Sequence, residues 1–136
     1  MKALDTNVLV RVLLGDEPQA QVQAARKLLA EAEQGEKIFI SAFVLLETAW
    51  VLKGKGRTTR EIAFALERVV HTEGIVVSLK TAVLAGLTRL KDAPSGVGIA
   101  DCLILADAAE HRALPLFTFD EALRRAEPDR TGLPGP

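Results

Sequence analysis

The opening stretch of the chain, residues 1–10, constrains the fold more than any other part of the sequence. An extended, mostly apolar segment over residues 2–4 is followed by three polar residues, Asp5, Thr6 and Asn7, and then by an apolar run. This order predicts a short buried strand that ends at Asp5 and a helix that begins at Thr6 or Asn7. A carboxylate between a parallel strand and a helix lies where α/β proteins have their ligand crevice. Aspartate also commonly caps helices, so the position of Asp5 alone leaves both roles open.

The rest of the chain alternates strand patterns with helix patterns. Short apolar strand patterns occur at residues 37–40, 75–77 and 114–118, and helices with apolar faces separate them. This alternation predicts an α/β fold with three layers, α/β/α, around a central, mainly parallel sheet of four or five strands. We expect a single domain over residues 1–126. Residues 127–136 are polar and rich in proline and glycine, so we expect a mobile tail there without a further strand.

The composition limits the classes of protein to which the chain can belong. It is 49% hydrophobic and 26% charged, which is typical of an ordered globular domain. A formal net charge of −1 provides no global basic field, so a nucleic-acid partner needs a local basic patch or a metal ion. The single cysteine, Cys102, excludes an intramolecular disulfide framework. Because neither a signal-peptide pattern nor a long apolar run is present, we expect a cytoplasmic protein without a membrane partner.

Four acidic residues occupy positions that call for an explanation. Asp5 and Asp120 follow predicted strands, and Asp101 lies in the first turn of a helix that leads into the fourth strand. These three side chains are therefore expected at the carboxyl edge of the sheet. Glu47 lies in a predicted helix over residues 42–53 that is apolar around almost its whole circumference. We expect a buried Glu47, whose carboxylate must pair, become protonated or bind a cation.

Carboxylates gathered at one edge repel each other unless a cation joins them. Hard divalent ions with oxygen ligands, Mg²⁺ or Mn²⁺, suit such a site, and no cysteine and histidine cluster indicates zinc. A purely structural role is the alternative for three of the acids. Asp5 and Asp120 would cap helices, and Asp101 would complement a helix dipole, a contribution of about 0.3–1 kcal/mol.

The sequence resembles the PIN domain family and, within it, the VapC-type toxin ribonucleases of bacterial toxin–antitoxin pairs. The resemblance rests on residues 4–11 (LDTNVLVR), Glu47, residues 99–104 (IADCLI) and residues 118–120 (TFD), in the family's order and spacing. Each motif alone is weak, but together they are specific. One departure is Glu121, which follows Asp120 where many relatives carry a basic residue, and it is expected to change substrate contacts.

The resemblance implies a divalent-metal-dependent endoribonuclease that hydrolyses RNA phosphodiester bonds with a metal-activated water, using Mg²⁺ or Mn²⁺. The implied catalytic and metal-binding acids are Asp5, Glu47, Asp101 and Asp120, and the supporting polar residues are Thr6, Asn7 and Thr118. The implied partners are an RNA substrate, a second copy of the chain in a homodimer, and an antitoxin whose segment covers apolar helices and blocks the acidic site.

A cluster of cations follows the helix that carries Glu47. The candidate RNA-backbone contacts are Lys53, Lys55, Arg57 and Arg60. These side chains equally fit a solvated helix end whose cations complement the helix dipole.

Two other functions compete with the nuclease. The first is a non-catalytic binding module on the same scaffold, which is disfavoured because an idle site would have no need of a buried, charged Glu47. The second is an aspartate-based phosphatase or phosphotransferase. That chemistry requires a second aspartate two residues after the first, where Asn7 stands, and a suitably placed lysine after the third strand, which the sequence does not provide.

Overall fold

The structure, a computed structural model, describes residues 1–135 and shows strands alternating with helices. In chain order the elements are β1 (Lys2–Ala3), α1 (Thr6–Leu14), α2 (Gln19–Glu33), β2 (Ile38–Ile40), α3 (Ala42–Gly54), α4 (Thr59–His71), β3 (Ile75–Val77), α5 (Lys80–Lys91), α6 (Ile99–Glu110), β4 (Leu116–Phe117), α7 (Glu121–Ala126) and β5 (Thr131–Gly132). Within this part of the chain, no helix combines the length and apolarity needed to cross a bilayer.

The strands are parallel, as predicted, but they form two hydrogen-bonded sheets. Strand β2 lies between β1 and β3, with Ile38 opposite Lys2 on one side and opposite Ile75 on the other. Strand β4 pairs with β5, with Leu116 opposite Thr131. The α/β class with parallel strands is therefore confirmed. The arrangement differs from the expected single sheet, because β1 and β4 contain only two residues each and leave little backbone for hydrogen bonds between them.

The core lies around the central strand β2. Ile38 and Ile40 are fully buried on one face of the strand, and Phe39 is partly buried on the other. Both faces of β2 are thus covered, as a layered arrangement of helices around a sheet requires. Helices contribute fully buried leucines to the same cluster, among them Leu9 of α1 and Leu66 of α4.

The C-terminal segment contains a strand that the sequence did not predict. Glu127 is buried and pairs with Arg89 and Arg130, and the Thr131 hydroxyl donates a hydrogen bond to the Glu127 carbonyl at 2.7 Å. These contacts hold Thr131 and Gly132 beside β4. The expectation of a tail without a strand is wrong here, because two residues fixed by tertiary contacts leave no periodic pattern. The mobility of residues 127–136 stays a prediction, and Pro136 lies outside the described residues.

Helices α4 and α5 begin in different ways, and a residue before α5 contacts the start of α3. The sequence has a threonine at position 58 and a glutamate three residues later, which predicts a capping box at the start of α4, and the structure contains it. Helix α5, in contrast, begins after Leu79, which adopts a left-handed conformation with φ 54°. Ser78 does not cap α5; its hydroxyl accepts a hydrogen bond from the Ala42 amide at 2.8 Å. The end of β3 is therefore tied to the start of α3.

Candidate active site

Asp5 lies at the junction of β1 and α1, where the sequence predicted it. Its Oδ1 accepts a hydrogen bond from the Thr6 amide at 2.7 Å, so it is the N-cap of α1. The Leu4 amide donates to the Phe39 carbonyl at 3.1 Å, which holds Asp5 beside the connection from β2 to α3. Asp5 is exposed, whereas Thr6 is buried. The backbone of Thr6, not its hydroxyl, therefore orients the Asp5 carboxylate, while Asn7 lies exposed nearby.

Asp101 and Asp120 also occupy helix N-termini. Asp101 is the third residue of α6, and its Oδ2 accepts a hydrogen bond from the Gly98 amide at 3.0 Å. Asp120 is the N-cap of α7, and its Oδ1 accepts from the Leu123 amide at 3.0 Å. The Thr118 hydroxyl accepts from the Asp120 amide at 3.0 Å, so Thr118 helps to orient this acid. Both the capping role and a ligand role remain compatible with these contacts, because a carboxylate has two oxygens.

A close backbone approach brings the segments of Asp101 and Asp120 together. Gly96, in the loop before α6, has φ +89°. A Cβ atom at this position would lie 3.1 Å from the Cβ of Ala122, in the first turn of α7. The loop that leads to Asp101 is thus in contact with the helix that Asp120 caps. This contact places the start of α6 near the start of α7.

Glu47 is exposed, and the prediction of a buried carboxylate is wrong. Phe43 and Trp50, one turn before and one turn after it, are also exposed, so these residues form one solvent-facing stripe of α3. The opposite side of the helix is buried, through residues such as Leu45 and Leu52. The sequence showed large apolar residues on all sides of α3, which suggested burial all round. Glu47 therefore needs no cation to offset a desolvation cost.

A groove between α3 and α6 joins Glu47 to the segment of Asp101. The groove has a volume of about 510 Å³, and Glu47 lines it together with Gly98, Ile99 and Ala100. These three residues immediately precede Asp101. The structure thus places Glu47 beside the N-terminus of α6, and most of the remaining groove wall is apolar.

The four acids are suitable donors for a divalent ion but are not gathered into a coordination shell. None of them forms an ion pair within residues 1–135. Carboxylate oxygens are the ligands that Mg²⁺ and Mn²⁺ prefer. In the same part of the chain, no group of three or more Asp, Glu, His or Cys side chains lies close enough to hold a metal. Donor chemistry therefore fits such an ion, and the four side chains, of which Asp101 is partly buried and the others are exposed, would have to turn toward it.

The predicted basic patch lies at the turn from α3 to α4. Lys53, Lys55 and Arg57 are exposed, and Lys53 lines the same groove as Glu47. Arg60 is engaged differently: its guanidinium lies 3.6 Å from the carboxylate of Asp92 and donates to the Lys91 carbonyl at 3.1 Å. The charge of Arg60 is thus shared with an acid.

Sequence reasoning missed the exposed aromatic side chains of the site. Phe43 is 78% exposed and Trp50 is 76% exposed, although the apolar circumference of their helix predicts that both are buried. The spacing of four and three residues around Glu47 was a usable signal, because positions i, i+4 and i+7 lie on one helix face.

Comparison with known proteins agrees with the resemblance noted in the sequence. The sequence pattern of the PIN domain matches residues 2–127. A search of curated proteins found no match to the chain. The matched range contains all four acids, the residues that line the groove, and the basic turn from α3 to α4.

Proposed function

Because the chain belongs to the PIN domain family, we propose that it is a divalent-metal-dependent endoribonuclease and the toxin of a toxin–antitoxin pair. PIN domains are generally metal-dependent nucleases with nucleic-acid substrates. The observation that carries the proposal is the placement of Asp5, Asp101 and Asp120. Each comes from a different part of the chain, and each stands at a helix N-terminus.

The acids have distinct roles in this proposal. Asp5 and Asp101 would hold Mg²⁺ or Mn²⁺ directly, and Glu47 and Asp120 would hold it directly or through water. When bound, such an ion supplies positive charge at the scissile phosphate and lowers the pKa of a water molecule. A backbone amide donates a hydrogen bond to one carboxylate oxygen of each aspartate, Asp5, Asp101 and Asp120. The other oxygen of each carboxylate is left for a ligand. Thr118 orients Asp120, and Thr6 and Asn7 are the supporting polar residues beside Asp5.

The basic turn supplies the RNA-backbone contacts. Lys53, Lys55 and Arg57 are exposed cations at the end of the helix that carries Glu47. Since the net charge of the chain is −1, this local patch compensates for the lack of a global positive field. Arg60 contributes less than the other three because Asp92 offsets part of its charge.

The partners implied by the resemblance are an antitoxin and a second copy of the chain. Exposed apolar side chains outside the α3 stripe provide surface for such contacts, among them Ile104 and Phe117, which are 53% and 62% exposed. An antitoxin segment that also covers the groove would exclude RNA from the acids. We place the protein in the cytoplasm, where its RNA substrate is found.

Incubation of the purified protein with a mixed RNA pool tests the proposal. Cleavage is expected in Mg²⁺ or Mn²⁺, and it should cease in EDTA and in the Asp5→Asn variant. Asparagine at this position keeps an oxygen that can accept the Thr6 amide, so circular dichroism should show an intact fold. Cleavage by Asp5→Asn at the wild-type rate, or cleavage unaffected by EDTA, would refute the assignment.

A non-catalytic binding module is the second candidate. The exposure of Glu47 favours a binding module, because an exposed carboxylate needs no cation to offset the cost of burial. It predicts RNA or protein binding without cleavage under every metal condition. An aspartate-based phosphotransferase stays disfavoured, because Asn7 stands where that chemistry requires its second aspartate.

A further inference from the structure

The exposed stripe of helix α3 combines aromatic rings with an acid. Phe43 and Trp50 leave more than three quarters of their surface in solvent, while the same helix buries Leu45, Ala49 and Leu52. Exposed rings of this size on either side of one residue usually have a partner, because their apolar area favours contact. The partner must also accept Glu47, which lies between the two rings.

The acid argues against a second copy of the chain on this stripe. In a twofold dimer the same patch lies on both sides of the interface, so a contact centred here would bring together the Glu47 carboxylates of both copies. Burial of two like charges without a cation is costly. A solvated nucleic-acid strand avoids this cost, because its bases can cover the rings while its phosphates and their cations stay beside the acid.

The charges along α3 fit such a strand. Glu47, Trp50 and Lys53 follow each other at intervals of three residues, or about 4.5 Å of helix rise per step. All three line the groove, and Lys55 and Arg57 extend the positive charge beyond it. The order is therefore an acid for the metal, a flat ring, and a cation for a backbone phosphate. This arrangement of charge and ring favours RNA, the substrate of the proposed function, as the occupant.

We propose that Trp50 and Phe43 stack against unpaired bases of the RNA substrate on either side of the cleavage position, with Lys53 on a neighbouring phosphate. The inference rests on the proposed nuclease function and assigns the residues that position its substrate. Stacking requires an accessible base face, so the site selects unpaired nucleotides. It reads little sequence, because every base has such a face.

The fluorescence of Trp50 provides a direct test. Trp50 is the only tryptophan and the chain has no tyrosine, so the emission reports this residue alone. The Asp5→Asn protein, which is expected to leave RNA intact, is titrated with a mixed-sequence single-stranded oligoribonucleotide and with the same strand in a duplex. Binding is followed independently by the anisotropy of a dye on the RNA. The single strand should quench the emission saturably and in parallel with the anisotropy, and the duplex should not.

Two outcomes separate this inference from the proposed function. Binding of the single strand without a change in Trp50 emission would overturn the stacking contact and leave the nuclease assignment intact. Failure of any RNA to bind, together with no cleavage by the wild-type protein, would remove both.

Substitutions at Trp50 distinguish a stacking contact from an apolar protein interface. Trp50→Tyr keeps a ring, whereas Trp50→Leu keeps apolar area without one. We expect Trp50→Leu to raise KM at least about fivefold, the factor that corresponds to about 1 kcal/mol per stacked base, and Trp50→Tyr to stay within about twofold of wild type. Because the side chain is exposed, both variants should keep the wild-type melting temperature.

Phe64→Leu is the matched control. Phe64 is a partly exposed ring on α4 that does not line the groove and lies beneath Arg60 and Lys91. Its replacement should leave KM unchanged. If Trp50→Leu alters self-association in sedimentation experiments while KM stays at the wild-type value, the stripe is a protein interface and the proposal is overturned.

Discussion

Asp101 separates the structural and the chemical roles of the candidate acids. Its Oδ2 accepts the Gly98 amide at 3.0 Å, so the side chain completes the first turn of α6 as well as contributing charge to the site. Asp101→Asn keeps an oxygen acceptor and loses only the interaction between charge and helix dipole, a cost of about 0.3–1 kcal/mol. Asp101→Ala also loses the hydrogen bond, a further cost of about 1 kcal/mol.

The two variants should therefore differ in stability but not in activity. For a domain of this size, 1 kcal/mol shifts the melting temperature by roughly 3–5 °C. We expect a decrease of roughly 1–5 °C for Asp101→Asn and roughly 4–10 °C for Asp101→Ala. Both should cleave RNA more than about 100-fold more slowly than wild type, since even the loss of groups that only support metal ligands costs about 10–100-fold. Differential scanning calorimetry and initial cleavage rates measure the two effects.

Glu61→Gln is a matched control for this experiment. Glu61 occupies the equivalent capping position in α4, where the backbone amide of Thr58 holds the pKa of the Glu61 carboxyl below its usual value. The substitution should lower stability slightly and leave the cleavage rate unchanged. Wild-type turnover by a folded Asp101→Asn protein would refute the role of Asp101, as would an equal loss of activity in Glu61→Gln.

Three further predictions follow from other contacts in the molecule. Glu127→Gln should lower the free energy of unfolding by about 1–3 kcal/mol, because the substitution removes a buried carboxylate that pairs with two arginines. Urea denaturation measures this loss of stability. An unchanged midpoint would contradict the role of these ion pairs in holding β5. Burial, followed by the nearby negative charge of the acid that precedes it, raises the pKa of the Cys102 thiol from 9.0 to about 11. Native protein should therefore react with iodoacetamide at pH 8 far more slowly than unfolded protein, and equal reaction rates would contradict a buried thiol. The contribution of this thiol to the stability of the fold should be present below about pH 9 and lost as the pH rises toward 11. Combined replacement of Lys53, Lys55 and Arg57 by alanine should weaken RNA binding and flatten its dependence on salt concentration, and an unchanged salt slope would reject the patch.

Features that depend on neighbouring residues could be predicted from the sequence. The strand-to-helix change at Asp5 and the capping box of Thr58 and Glu61 each need only a few consecutive residues, and both occur as predicted. The alternation of strands and helices is likewise local, and it was sufficient for the α/β class. The acids of the family motifs could be proposed as candidates because their order along the chain is specific, but neighbouring residues do not determine the distances between them in space.

Features that depend on tertiary contacts could not be predicted in the same way. An apolar circumference does not show which side of α3 its neighbours cover, so the predicted burial of the whole helix is wrong for Glu47, Phe43 and Trp50. Strand β5 has only two residues, and the buried Glu127 holds it in place. Glu127 pairs with Arg89, which is distant in sequence, and with Arg130, and no sequence pattern indicates these pairs. Ser78 resembles a helix cap in sequence, but in the structure it binds across to α3.

Direct measurement of Mn²⁺ binding tests the central claim that the four acids form a divalent-metal site. Electron paramagnetic resonance detects free Mn²⁺ during titration of the wild-type protein, an Asp5→Asn/Asp101→Asn double variant, and Asp129→Asn, which alters an exposed acid outside the groove. The account predicts saturable binding by the wild-type protein and by Asp129→Asn, and loss of that binding in the double variant. No binding by the wild-type protein, or equal binding by all three proteins, would contradict it.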